Sequence, residues 1–136
     1  MENRGLSRFK KFEYIYKYIL KEPLSERKSR ELGERFSELV YEGIMKAPLV
    51  NGAQVFLEKY HMKLLLFIAS GTPQEEMRDI VNKRGLTPYF QAVYGSPTTK
   101  AQICAKILKD HDLRNRELIF VGDAITDRDG ANENDI

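Results

Sequence analysis

The sequence predicts an α/β fold: a doubly wound parallel sheet with helices on both faces, preceded by a helical front segment. Three observations predict it. Residues 1–48 carry apolar side chains at three- and four-residue steps, the helical period. Lys63–Ala69 is a continuous apolar run without alternation, as suits a strand covered on both faces. Beyond it, strand-like and helix-like stretches alternate, which is the pattern of parallel strands joined by right-handed crossovers. The length of 136 residues fits one domain, or a modest domain with a small appendage, divided here into 1–48 and 49–136.

In the front segment Phe9, Phe12, Tyr16 and Ile19 share one helical face, with Ser7 placed as N-cap. Pro23 cannot continue that helix, because it lacks the N–H and clashes with the preceding turn. Residues 23–28 link to a second helix carrying Leu32, Phe36, Leu39 and Val40, which Pro48 ends. The stripe of Phe9, Phe12, Tyr14, Tyr16 and Tyr18 reads as core or interdomain packing rather than a binding groove. A helix over Ala53–His61 then leads into the apolar strand, closed by Ser70-Gly71-Thr72-Pro73. Thr72 as N-cap, Pro73 at the first helical position and Glu75 predict a capping-box start, and Gly85 a left-handed stop. A short strand near Ala92–Tyr94 follows. Thr99 with Gln102 is a second capping-box pattern, opening a helix to about Asp110. Glu117–Val121 reads as a third strand, ending in Gly122-Asp123.

Charge and composition exclude several classes. The chain has 22 Lys+Arg against 20 Asp+Glu, a net charge of +2, which gives no strong pull toward nucleic acid. Residues 1–48 hold 11 basic and 8 acidic side chains, net +3, and residues 49–136 hold 11 and 12, net −1. Solvated helix faces account for that asymmetry, and attraction of an anionic substrate is the second reading. The longest apolar run, Leu64–Ala69, is about a third of the ~20 residues that cross a bilayer. Arg4, Arg8, Lys10 and Lys11 are followed by an amphipathic stretch rather than a secretory signal. The single cysteine, Cys104, forms no internal disulfide, and a cytoplasmic location is the expectation.

Ligands of such sheets bind beyond the carboxyl ends of the strands. Ser70 ends the first strand, Lys100 opens the helix after the second, and Asp123 and Asp127 follow the third. A hydroxyl and an ammonium can bind phosphoryl oxygens, and two carboxylates can hold Mg²⁺, a hard ion that keeps water ligands. Asp129 is a weaker candidate for a third acid, better read as an exposed aspartate near a helix N-terminus. Thr72 is explained by capping. His61 and His111 lack a metal-ligand spacing and read as solvent-facing, and Cys104 reads as a packed apolar residue in mid-helix.

The order of Leu65-Leu-Phe-Ile-Ala-Ser-Gly-Thr72, Gly95-Ser-Pro-Thr-Thr-Lys100 and Ile119-Phe-Val-Gly-Asp-Ala-Ile-Thr-Asp127 resembles the haloacid dehalogenase-like (HAD) superfamily of hydrolases. The resemblance covers residues 51–136, and the front helices look like that family's helical cap. It implies an incomplete Rossmannoid core, in which Ser70 and Gly71 bind the phosphoryl group and Lys100 neutralises its charge. Asp123 and Asp127 would orient Mg²⁺. The family's nucleophile is an aspartate in an Asp-x-Asp pattern ending its first strand, and it forms an aspartyl-phosphate that water hydrolyses. Here the first aspartate is Asp79, after Ser70. By resemblance the first and last core strands are therefore expected to be missing.

The reading that follows is a truncated Mg²⁺-dependent phosphatase of a small phosphorylated metabolite, inactive alone. The alternative is a non-catalytic phosphate- or metal-binding or interaction module. A response-regulator-like acceptor domain is a third, lacking an evident acceptor apart from Asp123. Sugar phosphates and small phosphorylated acids are the substrates the resemblance implies, with Lys10, Lys11, Arg27, Lys28 and Arg30 hinting at an anionic ligand. Loss of the nucleophile strand leaves a gap in the sheet, so the strands either close up or another chain, such as a second copy, covers the edges.

Overall fold

The computed structural model describes residues 5–136; Arg4, which entered the reading of the N-terminus, lies outside them. Helix α1 spans Arg8–Tyr14, with Ser7 Oγ accepting from the Lys10 N–H at 3.4 Å. It widens into a π-helical turn, Ile15–Leu20, and Lys21 in the left-handed region (φ 57°) stops it ahead of Pro23. Helix α2 (Glu26–Lys46) starts one residue after Ser25, whose Oγ accepts from the Lys28 N–H at 3.2 Å, and stops before Pro48. Phe9, Phe12 and Phe36 join α1 to α2 edge-to-face, with centroids 6.2 and 6.4 Å apart. The expected packing role of the aromatic stripe holds for Phe9 and Phe12. Tyr14 and Tyr18 stack on one another at 5.0 Å and remain exposed.

Helix α3 (Ala53–Tyr60) precedes strand β1 (Phe67–Pro73), followed by α4 (Gln74–Lys83), β2 (Ala92–Ser96), α5 (Lys100–Asp110) and α6 (Ile125–Asn132). β1 and β2 pair in parallel, with Phe67 opposite Ala92 and Ala69 opposite Tyr94. The crossover between them is α4, so this is the mixed α/β architecture of the sequence reading. The Thr99–Gln102 capping box forms in full, and Gly85 (φ 67°) follows α4 as expected.

Three details differ from expectation. β1 begins at Phe67, three residues after the first apolar residue Leu64, and continues through Thr72 to Pro73, leaving Leu64 and Leu65 exposed. The strand is half-buried along its length rather than covered on both faces. Thr72 therefore belongs to the strand, and α4 has Pro73 at its N-cap without a side-chain cap. Gln74 ties this junction instead: its Nε2 donates to the Val93 carbonyl at 2.8 Å and its Oε1 accepts from the Gly95 N–H at 2.6 Å.

The third correction concerns Glu117–Val121. Asn115–Glu117 is a 3-10 turn, Leu118 is extended, and no strand forms through Val121. Ile119 is 82% exposed and Val121 90%. A strand needs a neighbour for its N–H and C=O groups, and extended apolar residues without one stay in solvent. The sheet of the described residues accordingly has two strands.

The fully buried apolar side chains are few: Ile80 and Val81 of α4, with Ile103, Cys104 and Ile107 of α5. The front helices are held to this core by polar contacts along α2 and α4. Arg8, 8% exposed, pairs with Glu76 at 2.7 Å and donates to Ser37 Oγ and the Gly33 carbonyl. One turn further, Tyr41 donates to Asp79 at 3.1 Å, and Arg84 donates to the Ile44 and Ala47 carbonyls at 3.1 and 2.7 Å. No helix of the described residues is long and apolar enough to cross a membrane.

Candidate active site

Ser70, Gly71, Lys100, Asp123 and Asp127 line one cavity of about 490 Å³, where β1 ends and α5 and α6 begin. The helical start of α5 fixes Lys100 as its first residue, and the sharp turn through Gly122 and Asp123 brings α6 back beside it. Ser70 is half-buried, and its Oγ accepts the Thr72 N–H at 3.1 Å, which leaves its own O–H to donate. Thr72 lines the same cavity.

Lys100 forms an ion pair with Asp127, both side chains being about nine-tenths buried (13% and 10% exposed), and its Nζ donates to Thr126 Oγ1 at 3.3 Å. The second oxygen of Asp127 accepts the Ala124 N–H at 3.0 Å, the capping arrangement that starts α6. Both oxygens of Asp127 thus have protein partners. Gly122 is required beside it, because a Cβ there would fall 2.4 Å from the Asp127 carboxyl. Asp123 is exposed and lines the cavity.

The two carboxylates differ in what they offer a cation. Mg²⁺ takes near-octahedral oxygen ligands, commonly one or two carboxylates with water and phosphate. Asp123 fits such a role, whereas Asp127 would first have to leave Lys100 and the α6 N-terminus. Among the described residues no three His, Cys, Asp or Glu side chains are gathered closely enough to hold a metal. The residues present do not fit a Mg²⁺ site by themselves.

The remaining candidates fall outside the cavity. Asp129 is exposed and contacts Arg128 at 3.4 Å. His61 is half-buried rather than solvent-facing: its Nδ1 lies 2.9 Å from the Leu57 carbonyl and its ring meets Tyr89 edge-on. His111 is exposed, with its ring 5.0 Å from Phe67. Cys104 is buried, and burial pushes its thiol above the ordinary range, which makes it inert as a nucleophile.

The sequence reading missed Arg8 and Phe36, which also line the cavity. Arg8 reaches partners 25, 29 and 68 residues away, and no local spacing signals such contacts. Its guanidinium also lies 4.7 Å over the Phe36 ring.

The described residues thus form a parallel α/β core with a helical extension, and a hydroxyl, an ammonium and two carboxylates line one cavity beside it. Comparison with family models matches residues 5–136 to the haloacid dehalogenase-like hydrolases, and the chain belongs to that family. Among solved structures, a haloacid dehalogenase-like family hydrolase from Streptococcus pneumoniae shares the fold at 22% identity, with a TM-score of 0.68. The match covers 92% of this chain and 71% of that one. Comparison with curated proteins gives no match.

Proposed function

We propose that this chain binds the phosphoryl group of a small phosphorylated metabolite, the binding step of a phosphatase. The observation that carries the reading is the meeting of Ser70 and Lys100 in one cavity, with Asp123 and Asp127 beside them. Ser70 donates its hydroxyl proton to a phosphoryl oxygen. Lys100 stabilises the negative charge with an ammonium already desolvated by its surroundings. Asp127 holds Lys100 and the start of α6 in place. Asp123 is the exposed carboxylate of the same lining.

Group transfer needs a nucleophile that accepts the phosphoryl group. No aspartate precedes Asp79 in this chain, and Asp79 points its carboxylate at Tyr41 and Lys83 rather than at the cavity. The 136-residue chain is therefore proposed to bind phosphate without turning over an ester. Incubated with an aryl phosphate and Mg²⁺, beside Asp123→Asn, it should release phenol no faster than buffer. Orthophosphate should bind to the parent and not to Lys100→Met in titration calorimetry. Turnover by the parent that Asp123→Asn abolishes would mean that this chain contains its own acceptor.

The second reading, a binding or interaction module without catalysis, is favoured by the same missing acceptor. The retention of four polar side chains at one cavity favours the first.

A further inference from the structure

We infer that Thr126 is a positioning residue for phosphate binding: its hydroxyl holds the Lys100 ammonium in the direction from which that group meets a phosphoryl oxygen. This rests on the phosphoryl-binding reading of Ser70 and Lys100. Thr126 stands on the first turn of α6, half-buried and outside the lining of the cavity, so it acts through Lys100 rather than on the ligand.

A lysine carries its compact charge on a flexible four-carbon stem, so its place in a site has to be fixed by neighbours. Lys100 is fixed at both ends. Its stem is pinned where the start of α5 meets α6: a Cβ at Gly130 would lie 2.9 Å from the Lys100 Cβ and 3.1 Å from the Ala101 nitrogen. Asn134 ties the two helices there, its Nδ2 donating to the Ala101 and Gly130 carbonyls at 3.0 Å each. The head has two anchors, the Asp127 carboxylate and Thr126 Oγ1, the latter at 3.3 Å. An ammonium has three N–H donors. With two engaged, its tetrahedral geometry sets the direction of the third, which is left for a ligand in the cavity that Lys100 lines. Thr126 is itself held in place by Gly5, packed so closely that a Cβ on Gly5 would run into the Thr126 hydroxyl. Asp127 brings a charge to Lys100, whereas Thr126 brings none. What Thr126 adds is direction, and the two contributions can be measured apart.

Titration calorimetry with orthophosphate on four proteins tests this. Thr126→Val keeps the shape that packs against Gly5 and removes the acceptor. It should bind orthophosphate about fivefold more weakly than the parent, the value of one long hydrogen bond to a charged group. Thr126→Ser keeps the hydroxyl without the methyl and should stay within about twofold of the parent. Thr126→Ala, compared with Thr126→Ser, removes the hydroxyl from a smaller side chain and should show the same loss of about fivefold, so the hydroxyl is tested even where valine disturbs folding. Equal affinity of the parent and Thr126→Val, or of Thr126→Ser and Thr126→Ala, would overturn the inference. So would a loss in Thr126→Ser as large as that in Thr126→Val, since packing and not the hydroxyl would then be at work. Failure of the parent to bind orthophosphate would overturn the phosphoryl site itself, a result distinct from equal binding by parent and variants.

Discussion

At Asp127, three structural demands meet in one side chain. Its carboxylate neutralises Lys100, caps the N-terminus of α6, and sits against Gly122 with no room for a Cβ. Asp123, four residues earlier, is exposed and carries none of these duties. The two residues look equivalent in the motif, yet their contributions to stability differ. Asp127→Asn should cost about 3 kcal/mol, because it leaves the Lys100 charge buried without a partner. Asp123→Asn should stay within about 0.5 kcal/mol of the parent. Urea denaturation of the three proteins checks both values. Equal, small effects would mean that the Lys100–Asp127 pair is not formed in solution. The motif spacing was legible in the sequence. The division of labour was not, since it depends on which carboxylate faces Lys100, 27 residues away in the chain.

At the scale of elements, local signals were read correctly wherever the chain decides locally. Ser7 and the Thr99–Gln102 pair cap the helices they precede, while Ser25, read as part of the link 23–28, proves to cap α2, which starts inside that link at Glu26. The Thr72 cap failed for a physical reason. Parallel pairing with β2 keeps the backbone extended to Pro73, opposite Ser96, and that ladder outweighs a side-chain cap. The turn before the unformed third strand is held by a local device of its own. Glu117 accepts two bonds from the Arg114 guanidinium and one from the Arg114 N–H, at 2.6–3.0 Å. These contacts, the side-chain bond first, hold the Glu117 carboxyl down at about 2. Depression of a carboxylate stabilises the turn above the unfolded value of 4.5, and the stabilisation is lost as pH falls from there through about 2. Carboxyl-carbon NMR should show Glu117 titrating near 2, returning toward 4.5 in Arg114→Gln. A midpoint near 4.5 in the parent would show that the turn does not hold in water.

For the whole molecule, the governing feature is that the sheet of the described residues has only two strands, and so two edges. Leu64 and Leu65, just before β1, and Ile119 and Val121 are all about half or more exposed. Such edges invite pairing with another chain. Sedimentation velocity should therefore show a mass that rises with concentration in the micromolar range, and Ile119→Lys with Val121→Glu should return it to that of one chain. A single-chain mass at every concentration would mean that these edges are closed in solution without a partner.

The sequence by itself determined the alternation of helix and strand through α5, the caps at Ser7 and at Thr99–Gln102, and the types of the polar groups that line the cavity. These follow from periodicity and local hydrogen bonding, which operate within a few residues. Only the tertiary structure decided that Glu117–Val121 finds no partner and that Arg8 reaches Glu76 across 68 positions. It also decided that Lys100 engages Asp127 rather than Asp123. Each of these depends on which groups meet after the chain has folded. A residue's type states which bonds it can make, and only the assembled neighbours state which of them it makes.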